Sequence, residues 1–452
     1  MNRLPLISER DLGDVLAWRP DGPVTVRQFL ADAHAVAQAL APGQGVFNLC
    51  EDRYHFAVLF AACLIAGKTS LQPASHSIET LERLAREHPG SFGVVDGTFE
   101  AGALPCHAYR DLLSQPAAPV HDMPTVDAGR VVAILFTSGS TGLPQPHAKT
   151  WGRLVQNGRA EAAGLGLLGR PHVLVGTVPA QHSYGFESTF LLALHGGCSF
   201  WSGKPFYPQD VADALAAVPR PRMLVTTPFH LAALLGSNLD WPPLDLCLSA
   251  TAPLDAGLAA RAEARGRAPV HEIYGSTESG QLACRRTTDG PHWQLLPGVL
   301  LEQTHDTTCA SEGHVEGRVP LSDIIELQGE RQFLLHGRHA DLINIAGKRS
   351  SLAYLNHQLC EIEGVQDGAF FLPEAADAAA DPSHGITRLT AFVVAPGIAP
   401  DALQRALRKR LDRVFLPRPL LLMDALPRNS TGKLPRTALQ ALYQERVVHG
   451  RT

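Results

Sequence analysis

Short apolar runs of strand length alternate with helix-length segments through the first 250 residues, and this alternation leaves few architectures open. The runs lie at 46–49, 131–136, 173–178, 223–227 and 244–249, and 70–73 begins another. Between them, 24–40, 54–66, 151–164 and 190–195 read as helices, and Gly67 stands where a helix C-cap belongs. Strand–helix alternation of this kind predicts an α/β chain with a parallel sheet. Several strands end in small or polar residues, at 137–142, 179–185, 227–229 and 249–253. Ligands of open α/β sheets sit beyond the carboxyl ends of the strands, so these ends are expected to converge on one cleft. The texture changes near Gly337: 324–335 reads as a hairpin around Gly329-Glu330, and a smaller unit follows. That unit has an Ala- and acid-rich exposed loop at 374–381, a strand at 390–394, a basic helix at 403–413 and a Pro- and Gly-punctuated loop at 427–436.

A chain of 452 residues accommodates two or three domains, and 45% hydrophobic with 18% charged residues is ordinary for a soluble globular protein. Residues 1–10 lack a signal-peptide core, and no apolar run reaches the roughly 18 residues of a membrane span. The longest, 56–67, reads as a buried helix. The eight cysteines are scattered without a Cys-x-x-Cys pair, and the 20 histidines show no metal-type pairing on a helix. A reducing cytoplasm and no transition-metal site are expected. Net charge is −5, but 401–452 holds 11 Lys and Arg against 4 Asp and Glu, a local +7 that leaves −12 on the rest. Such a segment suits a solvated face, an anionic nucleotide or an acidic protein partner. Nothing suggests a nucleic-acid-binding fold.

Four stretches carry chemistry. The run 131–136 leads into Thr137-Ser138-Gly139-Ser140-Thr141-Gly142-Leu143-Pro144, two glycines and four hydroxyl residues in six positions. Glycine lets a backbone approach a ligand, and hydroxyls with free N–H groups suit phosphate oxygens. It is not a Walker A loop, because no Lys-Ser or Lys-Thr follows the last glycine; alone it could equally be a polar turn. Tyr274-Gly275-Ser276-Thr277-Glu278 places a hydroxyl and a carboxylate at a strand end, which suits a phosphate–Mg²⁺ unit, or else a helix N-cap with an acidic first turn. Asp323, with Arg338, offers a carboxylate and a guanidinium for sugar hydroxyls, or an ordinary polar loop. Lys433, beside Gly432, is a lysine that a mobile loop could deliver to an anionic centre, or a solvated basic residue.

In this order and spacing the four resemble the adenylate-forming superfamily of acyl- and aryl-CoA synthetases, peptide-synthetase adenylation domains and luciferases, over about residues 20–440. The resemblance implies a large N-terminal domain at 1–337, a hinge at 338–341 and a mobile α+β lid at 342–452. It implies that Thr137, Ser138, Gly139, Ser140, Thr141 and Gly142 hold phosphates. Tyr274, with Gly275 and Ser276 beside it, would pack on adenine, Thr277 would touch the α-phosphate, and Glu278 would hold Mg²⁺. Asp323 and Arg338 would bind ribose, and Lys433 would bridge the substrate carboxylate and α-phosphate. His182, in a Pro-x-x-His-x-x-Gly segment, would line the acyl pocket with Tyr184, Gly185, Phe229, Ser249, Ala250 and Thr251. Gly347 and Arg349 would border the thiol channel. The chain departs from the pattern in four places. Gln145 and Pro146 stand where the family has Lys and Gly, with Lys149 as a candidate substitute cation. Trp151 replaces a His, Ala340 replaces an acid at the hinge, and 248–254 replaces a Ser-Gly-Gly run.

The implied reaction is ATP-dependent activation of a carboxylic acid as acyl-AMP, with pyrophosphate released, then transfer to a phosphopantetheine thiol. The basic 401–452 segment leans toward an acyl carrier protein as acceptor, with CoA as the alternative. Tyr184, Phe186 and Phe229 are compatible with an aryl acid such as a hydroxybenzoate, or with a short fatty acid. The early pocket segment has no Asp of the kind that holds an amino-acid amine. Two other classes remain: a ligase to an amine or hydroxyl, and a nucleotide-binding homologue without catalysis, motivated by Gln145 and Ala340.

Overall fold

A computed structural model describes residues 2–73, 75–98, 102–113, 120–138, 144–237, 239–304, 307–338, 342–345, 348–373, 389–429 and 432–448. The chain divides into two compact units. The larger comprises Met1–Leu321 with Leu327–Leu334, and the smaller Ser322–Glu326 with Leu335–Thr452.

The larger unit holds two sheets with mainly parallel strands. In one, Phe92–Val95, Gly45–Asn48, Thr69–Gln72 and Val131–Ser138 pair in parallel, and Pro144–Thr150 closes the edge antiparallel to Val131–Ser138. In the other, Val15–Arg19, Ser199–Trp201, Val173–Gly176, Arg222–Thr226, Leu246–Ser249 and Val270–Ser276 run in parallel in that spatial order. Gly280–Arg286 then returns antiparallel to Val270–Ser276. The central strands Val173–Gly176, Arg222–Thr226 and Leu246–Ser249 are almost wholly buried, as strands of a parallel sheet covered on both faces are.

The helix Arg53–Ile65 carries the core of this unit. Asp52 caps its start by accepting from the Tyr54 and His55 amides, and Gly67 takes φ +75° just beyond its end. Phe56 and Phe60 of this helix meet Phe186 and Phe190 at ring distances of 5.1–6.2 Å, mostly edge to face. Arg53 is buried and has no salt bridge among the described residues. Its guanidinium instead donates to the Gly176, Val178, Trp201 and Gly203 carbonyls at 2.8–3.2 Å, tying together the ends of two adjacent strands.

In the smaller unit, Asp367–Phe371, Thr390–Val394 and Leu420–Leu422 form a three-stranded sheet. Alternate residues supply two cores. Phe370, Ala391 and Val393 meet Leu355, Leu359, Leu403 and Leu407 on one face, and Phe371, Phe392 and Val394 meet Leu426 and Leu439 on the other. Helices Leu352–Cys360, Pro400–Arg410 and Arg436–Tyr443 cover the sheet. All eight cysteines are free thiols; six are buried, and Cys106 and Cys360 are exposed.

The α/β class is as expected. Two local readings change. The loop after Phe136 begins later, because Thr137 and Ser138 continue the strand and pair with Gln145 and Pro144; Gly139 to Leu143 lie outside the described residues. The segment 183–195 is helical throughout rather than from 190, because His182 caps its start, Nδ1 accepting from the Tyr184 amide. Residues 339–341, with Ala340, and the 374–388 stretch also lie outside the described residues.

Candidate active site

Two antiparallel hairpins of the larger unit bring their ends together. One comprises Val131–Ser138 and Pro144–Thr150, the other Val270–Ser276 and Gly280–Arg286. Along Pro144–Thr150 the alternate residues Gln145, His147 and Lys149 share a face. His147 Nε2 lies 3.0 Å from Thr137 Oγ1 and 3.7 Å from Glu278 Oε1. Lys149 Nζ donates to the Glu278 carbonyl at 3.1 Å.

The Tyr274–Glu278 stretch therefore caps no helix: the chain turns at 277–279 and returns as a strand. Ser276 and Ser279 hold the turn, their Oγ atoms 3.1 Å apart. Gly275 is sterically required, because a Cβ there would overlap the Gly280 carbonyl. Tyr274 is half-buried and contacts Trp293 and Phe333, each at 5.7 Å. Partial burial pushes the Glu278 carboxyl up. Its own amide, the Ser276 hydroxyl and the nearby His147 and Lys149 outweigh this and leave it below its usual range. Burial lowers the His147 imidazole in turn.

Lys149 does not fill the place of the cation missing at 145. It is 5% exposed, and burial lowers its ammonium against the raising pull of Glu187, Glu316 and Glu278. It is an internal strut beneath the turn. Glu316 also accepts from the Thr150 amide and hydroxyl, both at 2.7 Å. Below lie Glu187, pushed up to about 7 by burial and bonded to Ser183 Oγ at 3.0 Å, and Glu161, pushed up to about 8 by burial.

Glu161 sets a pH dependence. Its ordinary value is 4.5 and its folded value about 8, so the folded state holds an extra proton between them. Stability from this group is full below pH 4.5 and lost as pH rises through 8. Glu161→Gln is expected to match the parent near pH 5 and to exceed it in Tm by about 4 °C or more at pH 8.5, read by thermal unfolding.

The acyl-pocket candidates lie at the carboxyl ends of the second sheet. Tyr184 is buried and its hydroxyl donates to the Leu248 carbonyl at 2.9 Å, so its ring, not its hydroxyl, is left for a ligand. Gly185 admits no side chain, since a Cβ would overlap the Pro179 carbonyl. His182 is half-buried, Phe229 is 43% exposed and Ala250 is buried. Ser249 is fully buried and its Oγ has no hydrogen-bond partner among the described residues. Thr251 takes φ +79°, a left-handed conformation unusual for a β-branched residue; this strain falls where the chain replaces a Ser-Gly-Gly run. Trp151, in place of the family's His, is buried core, edge-on to His195 at 5.0 Å.

Asp323 and Lys433 belong to the smaller unit, as does the end of the strand Gln332–Arg338. Asp323 is half-buried; the side chains of Arg338 and Arg349 lie outside the described residues, as does Gly347. The residues on either side of 430–431 are braced. Arg428 pairs with Asp367 through two bonds of 2.6 and 2.7 Å and donates to the Gly432 carbonyl at 2.8 Å. Asn429 closes the turn, its Oδ1 accepting from the Lys433 amide at 2.9 Å. Lys433 itself is exposed.

Sequence reading missed His147. Its signal was the alternation 145, 147, 149, visible once the stretch after the loop is read as a strand.

A family model described as AMP-binding enzyme matches residues 13–305. The chain belongs to the AMP-binding enzyme family. It is therefore an adenylate-forming ligase, as the four motifs implied. A 4-coumarate–CoA ligase of Rhodobacter capsulatus is 30% identical over 308 residues, covering 67% of this chain and 74% of that protein. A salicylyl-CoA synthase / salicylate adenylyltransferase of a Streptomyces species is 25% identical over 504 residues, covering 93% and 89%. Among solved structures, ATP-bound MatB from Rhodopseudomonas palustris matches with a TM-score of 0.81 at 20% identity, over 96% of this chain and 97% of that one. O-succinylbenzoate CoA synthetase from Bacillus subtilis, in complex with AMP, matches with a TM-score of 0.78 at 19% identity, over 97% and 98%. At these identities the two structures establish the fold. No helix among the described residues is long and apolar enough to cross a membrane.

Proposed function

We propose that this AMP-binding enzyme activates a small carboxylic acid with ATP as acyl-AMP and then passes the acyl group to a phosphopantetheine thiol. The observation that carries the reading is the meeting of Thr137, His147 and Glu278 at 3.0 and 3.7 Å, where the strand entering the glycine-rich loop reaches the Thr277-Glu278 turn. Hydroxyls and an ionised carboxylate gathered where the chain enters a glycine-rich stretch suit a triphosphate with a hard cation. Glu278 fits Mg²⁺: its carboxyl is held below its usual range and 46% of the side chain is exposed. Bound there, Mg²⁺ would offset charge on the phosphates.

Each residue then has a task. Thr137, Ser138 and the amides of Gly139 to Gly142 orient the phosphates, and Thr277 donates to the α-phosphate. Tyr274 offers a ring face to adenine, and Asp323 and Arg338 hold the ribose. Lys433 neutralises charge as the substrate carboxylate oxygen bonds to the α-phosphorus and pyrophosphate departs. We place the lid at 342–452 and its hinge at 338–341, so that rotation withdraws Lys433 and admits the thiol along Gly347 and Arg349. The thiol sulfur attacks the acyl carbon, and AMP leaves with the bonding pair.

The relatives' names weigh toward CoA as the thiol. A second reading, an acyl carrier protein, is favoured by the helix Pro400–Arg410, which exposes Arg405, Arg408 and Lys409 to an acidic partner. The acid class is aryl or short fatty. Acid-dependent ATP–pyrophosphate exchange over benzoates, cinnamates and short to medium fatty acids tests the first step. At least one acid should drive exchange; ATP binding without exchange for any acid would refute the reading. AMP release with CoA and with a holo-carrier protein then identifies the acceptor.

A further inference from the structure

A row of polar side chains crosses the carboxyl ends of three adjacent parallel strands, and hydrogen-bonding capacity is left over at both ends. Thr226 and Ser249 are cross-strand partners, so their side chains share a face. Thr226 Oγ1 lies 3.0 Å from Thr177 Oγ1, which lies 3.3 Å from Nδ1 of His230 in the first turn of the helix Pro228–Gly236. Ser249 Oγ ends the row on one side and His230 Nε2 on the other. Both are buried and neither meets a partner among the described residues.

Nδ1 of His230 is held by two hydroxyls, Thr177 Oγ1 at 3.3 Å and Thr227 Oγ1 at 3.0 Å, and Thr227 Oγ1 also accepts the His230 backbone N–H at 3.3 Å. Nε2 is a donor in one tautomer and an acceptor in the other, and a ligand hydroxyl, which both donates and accepts, pairs with either. Burial lowers the ring to about 4, and it is neutral at pH 7. Phe206 and Phe229 stand edge-on to the ring at 5.1 and 5.4 Å, and neither offers an oxygen. His230 as a whole is 4% exposed. Buried polar groups are almost always paired. This one sits where ligands of open α/β sheets bind, next to Phe229, with a second unpartnered hydroxyl on the same row.

We propose that His230 Nε2 is a specificity partner for a hydroxyl on the acid, remote from its carboxylate, so that the substrate is a hydroxylated aryl acid rather than a plain aryl or fatty acid. The assignment rests on the acid-activating function proposed above. A hydroxyl pairs with Nε2 in either tautomer, whereas a hydrogen or methyl at that position leaves the nitrogen unpaired. Sites built to bond a substrate hydroxyl reject the analogue lacking it far more strongly than apolar pockets discriminate size.

Pyrophosphate exchange with the three monohydroxybenzoates against benzoate, and with 4-hydroxycinnamate against cinnamate, tests this in the full-length enzyme and in His230→Phe and His230→Gln. The enzyme should favour one hydroxylated acid over its parent by about 100-fold or more in kcat/KM. His230→Phe should bring that ratio within a few-fold of one, and His230→Gln, which keeps an N–H donor, should restore part of it. The ratio is insensitive to a loss of folded enzyme, which lowers both acids alike. A parent ratio near one, a preference for benzoate, cinnamate or fatty acids, or a ratio untouched by His230→Phe overturns the assignment while leaving acid activation standing. Exchange with no acid at all would instead sink the acid-activating function, and this assignment with it.

Discussion

Lys433→Ala should cut acid-dependent pyrophosphate exchange by about 10²- to 10³-fold while leaving ATP affinity within a few-fold and Tm unchanged. The first effect follows from removing the one lysine assigned to the charge that develops as carboxylate oxygen bonds to phosphorus. The other two follow from the loop's bracing. Arg428 with Asp367, and Asn429 with the Lys433 backbone, hold the turn without the Lys433 side chain. Thiol transfer from a supplied acyl-adenylate should survive the substitution, because the lysine is withdrawn by then. Exchange at the parent rate in Lys433→Ala would remove this residue from the first step. Loss of thiol transfer along with exchange would argue against two lid positions.

Lys149→Met should cost about 3 kcal/mol of stability at pH 7, and this is the largest stability change expected here. The substitution leaves Glu187 buried without its cation and takes the donor from the Glu278 carbonyl. Glu187 can take up a proton in response, which holds the loss at the lower end of the range for broken buried pairs. The turn that presents Glu278 would then be less well fixed, so the KM for MgATP should rise by about tenfold or more. Adding Glu187→Gln should recover a good part of the stability but little of the KM. Denaturant unfolding of the two variants, with exchange kinetics on each, separates the effects. A single variant as stable as the parent would mean that Lys149 is a passenger in the core.

The sequence revealed most where local and global signals agree. The apolar runs, the Asp52 cap and the φ-positive Gly67 all specify the same strand and helix, and Trp151–Gly164 and Thr390–Val394 emerge with the expected bounds. It revealed less where burial overrides residue type. Lys149 read as a candidate substitute for the cation missing at 145, and only the neighbouring Glu187, Glu316 and Glu278, distant in sequence, make it an internal strut. His147 was hidden because Gln145 and Pro146 read as a departure from the family's loop, and a proline immediately before a histidine gives no hint of a strand that turns both His147 and Lys149 toward another hairpin. Thr277 and Glu278 fit a helix start as well as a hairpin turn, since both motifs favour hydroxyls and acids. What distinguished them was the pairing of Gly280–Arg286 with Val270–Ser276, a nonlocal contact. The unpartnered His230 nitrogen could not be read from sequence, because the ring's surroundings include Thr177, 53 positions away.

The distribution of thiols has a practical consequence. Six of the eight cysteines are buried, and the two exposed ones fall one to each unit, Cys106 in the larger and Cys360 in the smaller. The unaltered chain is thus already furnished for a donor–acceptor dye pair attached by maleimide under native conditions. Energy transfer between the two dyes would follow any rotation of one unit against the other as ATP, acid and thiol are added in turn, with no engineered cysteine and no change to the residues assigned to the chemistry.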